Sequence, residues 1–331
     1  MPKVWPPGFV RVPDEEWTRA EVATLAQKYD AVGRHGWYAN LDPSVEEMAS
    51  VLRESDVLVD YSGGTGLFIE RLLAAVGSRA IGVVDADSSP KFLALALAKL
   101  RDDPRVAFRL IRFLKEEKRL QRLDEALGPE LASRGADALV STNAIHLYHD
   151  LDDTLASWAR VLRSGAHVHV QSGNIRDADA AKEAWIIDQT VEAVHLAACA
   201  IVEAKPRFER YRAPLHIRER MDAHAALRRK FFLPPRPLAH YVSALERTGF
   251  VEIAARTQPV EARASEWREF LAVYSEGVLG WVGGTERVEG AAAPPEALAD
   301  RMELLGLALD EVLGGREEFM ASWTYISCRR P

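Results

Sequence analysis

Cysteine is nearly absent from this chain, which has two, Cys199 and Cys328, among 331 residues. Two distant thiols form no disulfide framework and cannot by themselves build a zinc site. The sequence also lacks any run of about 18 apolar residues, the length that a membrane-spanning helix needs. Its first residues contain no apolar segment typical of a signal peptide. These absences predict a cytoplasmic protein with no membrane partner.

An excess of positive charge is missing as well. Lysine and arginine number 42 against 49 aspartate and glutamate residues, so the formal net charge is −7. A chain of this sign repels a phosphate backbone, which predicts that it has no nucleic-acid partner. With 48% hydrophobic and 27% charged residues, the composition is that of a globular protein.

What the sequence does contain is a regular alternation of short apolar strands and helices. Strands are predicted at 57–60, 80–84, 106–111, 136–141, 166–170, 250–255 and 319–327. Helices are predicted at 15–30, 43–54, 67–76, 90–100, 115–127, 152–162, 238–248, 265–280 and 295–313. Alternation of this kind builds a parallel sheet covered by helices on both faces. We therefore predict an α/β fold with a Rossmann-like, seven-stranded, mostly parallel sheet and helical insertions that form a cover.

Two stretches interrupt the alternation, the first of them reading as helical over 174–232. We predict that the chain has four parts. An N-terminal helical segment at 1–54 precedes a cofactor-binding core at 55–173. A helical insertion at 174–237 covers the substrate, and the end of the sheet follows at 238–331, with a second insertion at about 263–314. The two insertions also offer surface for a homodimer.

The loop after the first strand is the main candidate for a ligand site, because parallel sheets bind ligands beyond the carboxyl ends of their strands. It reads Asp60-Tyr61-Ser62-Gly63-Gly64-Thr65-Gly66. A dinucleotide fingerprint would need a third glycine or an alanine where Ile69 stands, and the loop has no Gly-Lys-Ser/Thr. The loop therefore predicts a cofactor other than a dinucleotide or a nucleoside triphosphate.

Five ordered segments resemble the motifs of class I S-adenosylmethionine-dependent methyltransferases. They are the loop 60–66, in which Ser62 replaces the family's first glycine, the run Asp85-Ala86-Asp87-Ser88-Ser89-Pro90, the run from Asp137 to His146, the turn 160–165 and the junction 245–250. The resemblance covers roughly residues 55–256. It implies methyl transfer from S-adenosylmethionine to a small-molecule acceptor, by O- or N-methylation.

The resemblance also implies which residues bind the cofactor. Asp60, Ser62, Gly63, Gly64 and Gly66 form the loop. A carboxylate after strand two accepts hydrogens from the ribose hydroxyls. Asp87 matches the family's spacing better than Asp85, although capping of the helix that begins at Pro90 is an alternative role for it.

Three more residues complete the predicted cofactor site. Asn143 leaves strand four beside the methionine portion. Phe113 is a candidate for stacking on adenine, because Arg112-Phe113 stands where the family often has an acidic residue. Tyr38 belongs to a segment that closes over the cofactor in related enzymes.

Histidines after strand four are the candidates for catalysis. His146 and His149 lie at the mouth of the predicted site and could remove a proton from the acceptor. Packing beside the cofactor is an equally good interpretation of His146. His167 and His169 alternate along strand five and are interpreted as structural, and no set of residues has the spacing of a metal site.

The stretch 205–236 is strongly basic, with ten Lys or Arg residues against three acidic ones. It predicts attraction of an anionic substrate, with ion pairing to acidic surface elsewhere as the alternative. An NAD(P)-dependent reductase and a non-catalytic S-adenosylmethionine-binding partner protein are the competing functions. The reductase is disfavoured by the missing glycine and by the lack of a Tyr-x-x-x-Lys pair.

Overall fold

The computed structural model describes residues 4–331, so the first three residues of the predicted N-terminal segment lie outside it. Within that range its strands in chain order are β1 (Val57–Tyr61), β2 (Gly82–Asp87), β3 (Val106–Leu110), β4 (Phe113–Leu114), β5 (Arg119–Leu120), β6 (Ala136–Thr142), β7 (Leu162–Ser172), β8 (Ile175–Arg176), β9 (Ala184–Trp185), β10 (Arg236–Pro237), β11 (Val251–Arg263) and β12 (Glu318–Arg329).

Helices surround these strands. The α-helices are α1 (Thr24–Val32), α2 (Asp42–Val51), α3 (Leu67–Val76), α4 (Pro90–Leu100), α5 (Leu123–Ala126), α6 (Pro129–Arg134), α7 (Leu151–Val161), α8 (Ile187–Ala204), α9 (Arg212–Leu215), α10 (Arg218–Phe231), α11 (Leu238–Arg247), α12 (Ala264–Val273), α13 (Ser275–Leu279), α14 (Glu286–Glu289) and α15 (Pro295–Leu313). Short 3₁₀ helices occur at Glu16–Arg19, Gly36–Leu41, Ile145–Leu147 and Pro206–Tyr211.

The central sheet has seven strands in the order β11-β12-β7-β6-β1-β2-β3. The pairs from β7 to β3 are all parallel, whereas β12 runs antiparallel to both β7 and β11. The two-residue strand β9 adds to the outer part of β12. The predicted Rossmann-like, mostly parallel sheet is therefore confirmed. Its parallel strands end at one common edge, which includes the ends of β1, β2, β6 and β7.

Hydrophobic residues lie on both faces of this sheet, which explains why its inner strands are apolar almost throughout. All five residues of β1 are buried. Leu58 belongs to the core beneath α2 and α3, whereas Val57 and Val59 belong to the core on the opposite face. The alternation follows from the two-residue period of a strand.

The helices outside the alternating core pack on one another. Helix α8 packs against α15 and α13, α10 packs against α13, and α12 lies against both α15 and α1. The segments predicted as two insertions and part of the N-terminal segment therefore form one connected helical layer. No helix within residues 4–331 is both long and apolar enough to cross a bilayer.

Three predicted elements differ from the structure. The helix predicted at 15–30 is split, because Trp17 is buried against α4 and residue Ala20 is extended. The helix predicted at 115–127 is mostly the β4–β5 hairpin, in which Lys118 has a left-handed φ of 54°. Its charged residues offer no apolar face to pack on the sheet. The helical reading from residue 174 is wrong up to Ile187, where α8 begins.

Candidate functional site

The loop between β1 and α3 turns sharply over the common edge of the sheet. Ser62 has a φ of 67°, a region that favours glycine, and its amide donates to the Ala86 carbonyl at 2.6 Å. A side chain at Gly63 would place its Cβ 2.5 Å from Asp85 Oδ1 and 2.9 Å from Asp60 Oδ2. Only glycine allows the loop to lie this close to the carboxyl groups beneath it.

Asp87 closes β2 and faces this loop. Its Oδ2 accepts a hydrogen bond from the Gly64 amide at 3.0 Å, and its Oδ1 accepts one from the Ser89 amide at 2.6 Å. Helix α4 is capped by Ser89 itself, whose hydroxyl accepts from the Phe92 amide at 3.3 Å. Burial raises the pKa of Asp87 to about 6, although the backbone amides oppose the rise. Asp87 therefore links the loop to the strand end, while the helix cap is supplied by another residue.

Asp60 and Asp85 form a pair of carboxyl groups beneath the loop. They are direct partners in the β1–β2 register and are fully buried. None of their four side-chain oxygens has a hydrogen-bond partner among the residues that the structure describes. Burial raises the pKa of both groups well above the usual range, and the charge of a neighbouring aspartate acts in the same direction. Burial therefore favours the protonated form of these two groups.

A tyrosine hydroxyl connects the loop to the end of β6. Tyr148 OH lies 2.9 Å from Ser62 Oγ and 2.8 Å from Ser141 Oγ. Tyr148 sits edge-on to the Tyr61 ring, with the centroids 5.5 Å apart. Sequence reasoning did not assign Tyr148 a binding role, because nothing in the primary structure shows that its hydroxyl reaches Ser62.

The end of β6 carries Asn143, whose side chain is oriented by a tryptophan. Asn143 has a left-handed φ of 55°, and its Oδ1 accepts a hydrogen bond from Trp323 Nε1 at 3.0 Å. The backbone amide of Asn143 donates to Gln171 Oε1 at 3.0 Å. Trp323 and Gln171 were missed by sequence reasoning, since their strands are distant in the chain from β6.

His146 and His149 have different surroundings. His146 Nδ1 lies 2.9 Å from Ser172 Oγ, and burial lowers its pKa to about 4, with the charge of Arg236 acting in the same direction. The Arg236 guanidinium donates to the carbonyls of His146 and Tyr148 at 3.3 and 2.7 Å. His149 is exposed. The structure thus gives His146 a side-chain partner at the edge of the sheet, whereas His149 is exposed.

The N-terminal segment brings aromatic groups to the same region. Tyr38 is buried, and burial raises the pKa of its hydroxyl. Tyr29 stacks on Phe92 of α4, with ring centroids 5.0 Å apart. Close by in the chain, Asn40 is fully buried and its side-chain amide has no hydrogen-bond partner among residues 4–331. Asn40 is a further polar group that sequence reasoning missed.

The surroundings of Phe113 differ from those of the buried residues described above. It belongs to the β4–β5 hairpin just after β3, and its side chain is 58% exposed. Its stacking on adenine remains a prediction.

Half of the basic residues of 205–236 form ion pairs. Arg207 and Arg210 bind Asp300, Arg220 binds Glu289, Arg228 binds Glu192 and Arg218 binds Asp222. Arg212 and Arg236 donate to backbone carbonyls. In the described part of the chain, these two arginines, Lys205, Arg229 and Lys230 have no ion-pair partner. Ion pairs therefore involve five of the ten basic residues and neutralise only part of the charge that predicted an anionic substrate.

The residues at this edge fit a cationic nucleoside. S-adenosylmethionine carries a ribose diol, an ammonium and a sulfonium, and it has no phosphate. Asp87 offers a carboxylate to the diol, and the unpartnered carboxyl of Asp60 offers an acceptor for an ammonium group. The unpartnered Asn40 amide provides a donor for a carboxylate.

Comparisons with known proteins give a family match and distant structural similarity. A family model described as a methyltransferase domain matches residues 59–170, about a third of the chain. No curated protein matches the sequence.

Two solved structures illustrate the structural similarity. The YcgJ protein from Bacillus subtilis is 11% identical with a TM-score of 0.49, and the match covers 89% of this chain and 99% of that one. Phosphoethanolamine N-methyltransferase 2 from Haemonchus contortus, solved with S-adenosyl-L-methionine, is 14% identical with a TM-score of 0.49. That match covers 92% of this chain and 56% of the Haemonchus chain.

Proposed function

We propose that the chain is a class I S-adenosylmethionine-dependent methyltransferase, as the methyltransferase-domain model over residues 59–170 suggests, and that it methylates an oxygen or nitrogen atom of a small-molecule acceptor. Bound S-adenosylmethionine supplies the electrophilic methyl carbon, so the protein contributes binding, alignment and removal of a proton. The observation that carries the proposal is the set of three buried carboxyl groups, Asp60, Asp85 and Asp87, at the ends of β1 and β2 beside the glycine loop.

These carboxyl groups support a cationic cofactor and oppose a dinucleotide. A pyrophosphate placed on the loop would lie against like charge in a buried site, where repulsion is strong. The third glycine of a dinucleotide fingerprint is replaced by Ile69, which is fully buried in α3. An NAD(P)-dependent reductase is therefore a poorer explanation of this edge of the sheet.

The acceptor is proposed to bind beneath the helical layer. The start of the 174–237 segment is held to the end of β7, since the Ile187 amide donates to the Gly173 carbonyl at 2.9 Å, and its two ends meet where Asn174 Nδ2 donates to the Leu233 carbonyl at 3.0 Å. Aromatic rings of this layer, such as Tyr274 and Phe232, pack edge-on with centroids 5.9 Å apart. An apolar cover anchored in this way favours a small molecule over a polymer.

His146 is proposed as the general base. Its low pKa keeps the imidazole neutral near pH 7, so that it can accept a proton, but it also makes the group a weak base. We expect His146→Gln to lower kcat about tenfold, below the usual range of general-base effects because of that weakness. The measurement is the initial rate of S-adenosylhomocysteine release with saturating acceptor. A matched His149→Gln variant, changed at an exposed histidine, should keep its rate, and equal losses in both variants would remove His146 from this role.

The proposed activity is tested in two stages with the full chain. Calorimetric titration with S-adenosylhomocysteine measures cofactor binding, and a panel of small alcohols, phenols, amines and carboxylates then reports turnover as S-adenosylhomocysteine release. Binding together with turnover of one acceptor class is the expected result. Tight binding of NADPH without binding of S-adenosylhomocysteine would reverse the assignment. Cofactor binding with no turnover of any acceptor would favour a non-catalytic binding protein.

A further inference from the structure

A second cluster of polar side chains lies on the sheet away from the loop. Glu47 comes from α2, and His167 and His169 project from the same face of β7. His167 Nε2 lies 2.9 Å from Glu47 Oε1, and His169 Nδ1 lies 3.3 Å from Glu47 Oε2. One ligand atom from each residue falls within 4.8 Å of the other two.

The surroundings of this cluster resemble those of a built metal site. His169 is fully buried, and its second ring nitrogen, Nε2, lies 2.9 Å from Ser44 Oγ. An outer partner of this kind fixes the orientation of a metal-bound imidazole. Ser327 Oγ contacts Glu47 and lies 3.0 Å from His169 Nδ1, at the open side of the three groups. The Glu47 side chain is 21% exposed, which leaves a path for an ion from solvent.

We propose that Glu47, His167 and His169 bind a divalent transition-metal ion of the Zn²⁺ type. Two imidazoles and one carboxylate suit zinc and its neighbours, whereas Mg²⁺ and Ca²⁺ prefer sites made of oxygen atoms. Ligands about 2.0 Å from a tetrahedral zinc ion lie about 3.3 Å from one another. The two Glu47–histidine distances, 2.9 and 3.3 Å, run to different carboxylate oxygens, and one ligand atom from each residue lies within 4.8 Å of the others, which leaves room for such an ion. A water molecule or the Ser327 hydroxyl completes the coordination.

Metal binding here would join α2 to β7. Helix α2 follows directly on the 3₁₀ helix Gly36–Leu41, which contains Tyr38 and Asn40. An ion shared by α2 and β7 holds that segment against the sheet. The site is independent of the proposed methyl transfer, and its loss does not bear on the assignment of the loop.

The test is titration of the EDTA-treated full chain with Zn²⁺, followed by calorimetry. We expect 1:1 binding, a melting temperature that rises with Zn²⁺ concentration, and visible d–d absorption with Co²⁺ in place of Zn²⁺. Glu47→Gln and His167→Gln should each weaken binding at least 100-fold. Ser44→Ala, which removes only the outer partner, should weaken it 10–100-fold.

His216→Gln is the matched control, because it removes an imidazole that is exposed on the helical layer. It should bind Zn²⁺ as the unaltered chain does, and Mg²⁺ should not bind at all. The proposal is overturned if the unaltered chain does not bind Zn²⁺, or if His167→Gln binds as tightly as the unaltered chain. Should the ligand variants fail to fold, the Co²⁺ spectrum and the Ser44→Ala affinity decide the question in the same way.

Discussion

Asp87→Ala is expected to weaken S-adenosylhomocysteine binding by roughly 10²- to 10⁴-fold. The carboxylate is proposed to accept hydrogens from both ribose hydroxyls, and each hydrogen bond to a charged group contributes about 1.5–3 kcal/mol. Alanine also leaves the Gly64 and Ser89 amides without their acceptor. Calorimetric titration of both proteins at pH 7.5 measures the change.

Asp102→Ala is the matched control for that experiment, since it removes an exposed carboxyl group from the same part of the core. Its affinity should stay within about twofold of the unaltered chain, the scatter expected of a surface substitution. Equal affinities for the Asp87→Ala variant and the unaltered chain would show that Asp87 does not contact the cofactor.

The pH dependence of cofactor binding follows from the same carboxyl group. The pKa of Asp87 is about 6 in the absence of ligand, and hydroxyl donors bind the ionised form. Affinity is therefore fully present above pH 6 and falls about tenfold per pH unit below it. Asp87→Asn should abolish this dependence. A wild-type affinity that is constant between pH 5 and pH 8 would contradict the proposed contact.

Asp85→Val is expected to stabilise the protein at pH 8. A buried carboxyl group without a partner destabilises the folded state by about 1–3 kcal/mol. Asp85 lies in β2 beside Val83 and Val84, so valine suits its surroundings. For a chain of this length, each kcal/mol corresponds to about 1–2 °C in the melting temperature. Thermal unfolding followed by circular dichroism gives the shift.

The gain in stability depends on pH in a defined direction. Because folding raises the pKa of Asp85, the folded state holds more protons than the unfolded one above pH about 4. The contribution of Asp85 to stability is therefore most favourable at acidic pH and is lost as the pH rises through the folded-state pKa of this group. The melting-temperature difference between Asp85→Val and wild type should be larger at pH 8 than at pH 5.

Two further variants separate charge from packing in this experiment. Asp85→Asn keeps the size of the side chain. It should also reduce the pH dependence, because it replaces the titratable carboxyl group with an amide. Asp102→Asn changes an exposed aspartate and should melt as wild type at both pH values. If the Asp85→Asn variant keeps the full pH dependence, the titrating group is not Asp85.

Local patterns in the sequence predicted the sheet well and the irregular segments poorly. The strands of the core were found because each is a short apolar run, buried on both faces. The helix predicted at 15–30 failed because burial of Trp17 against α4 outweighed the helical propensity of the residues around it. The charged run after β3 was also taken for a helix, although no apolar face holds it to the sheet.

The same contrast between local patterns and distant contacts applies to the residues of the candidate site. Asp87 and the glycine loop were found because they follow consecutive strands, whose ends meet at one edge of a parallel sheet. Tyr148, Trp323 and Asn40 were missed, since their contacts with Ser62, Asn143 and Tyr325 join residues far apart in the chain. The proposed metal site is a further case, because Glu47 precedes His167 by 120 residues. Without Glu47, the two histidines of β7 were interpreted as structural.

The amino-acid sequence by itself determined the order of strands and helices, the glycine loop and the resemblance to a methyltransferase, because each is encoded in residues that are close together in the chain. Only the tertiary structure decided which carboxyl groups lack partners, which histidine is buried and which charges are paired. These properties depend on burial and on distances across the fold, and a linear pattern contains neither.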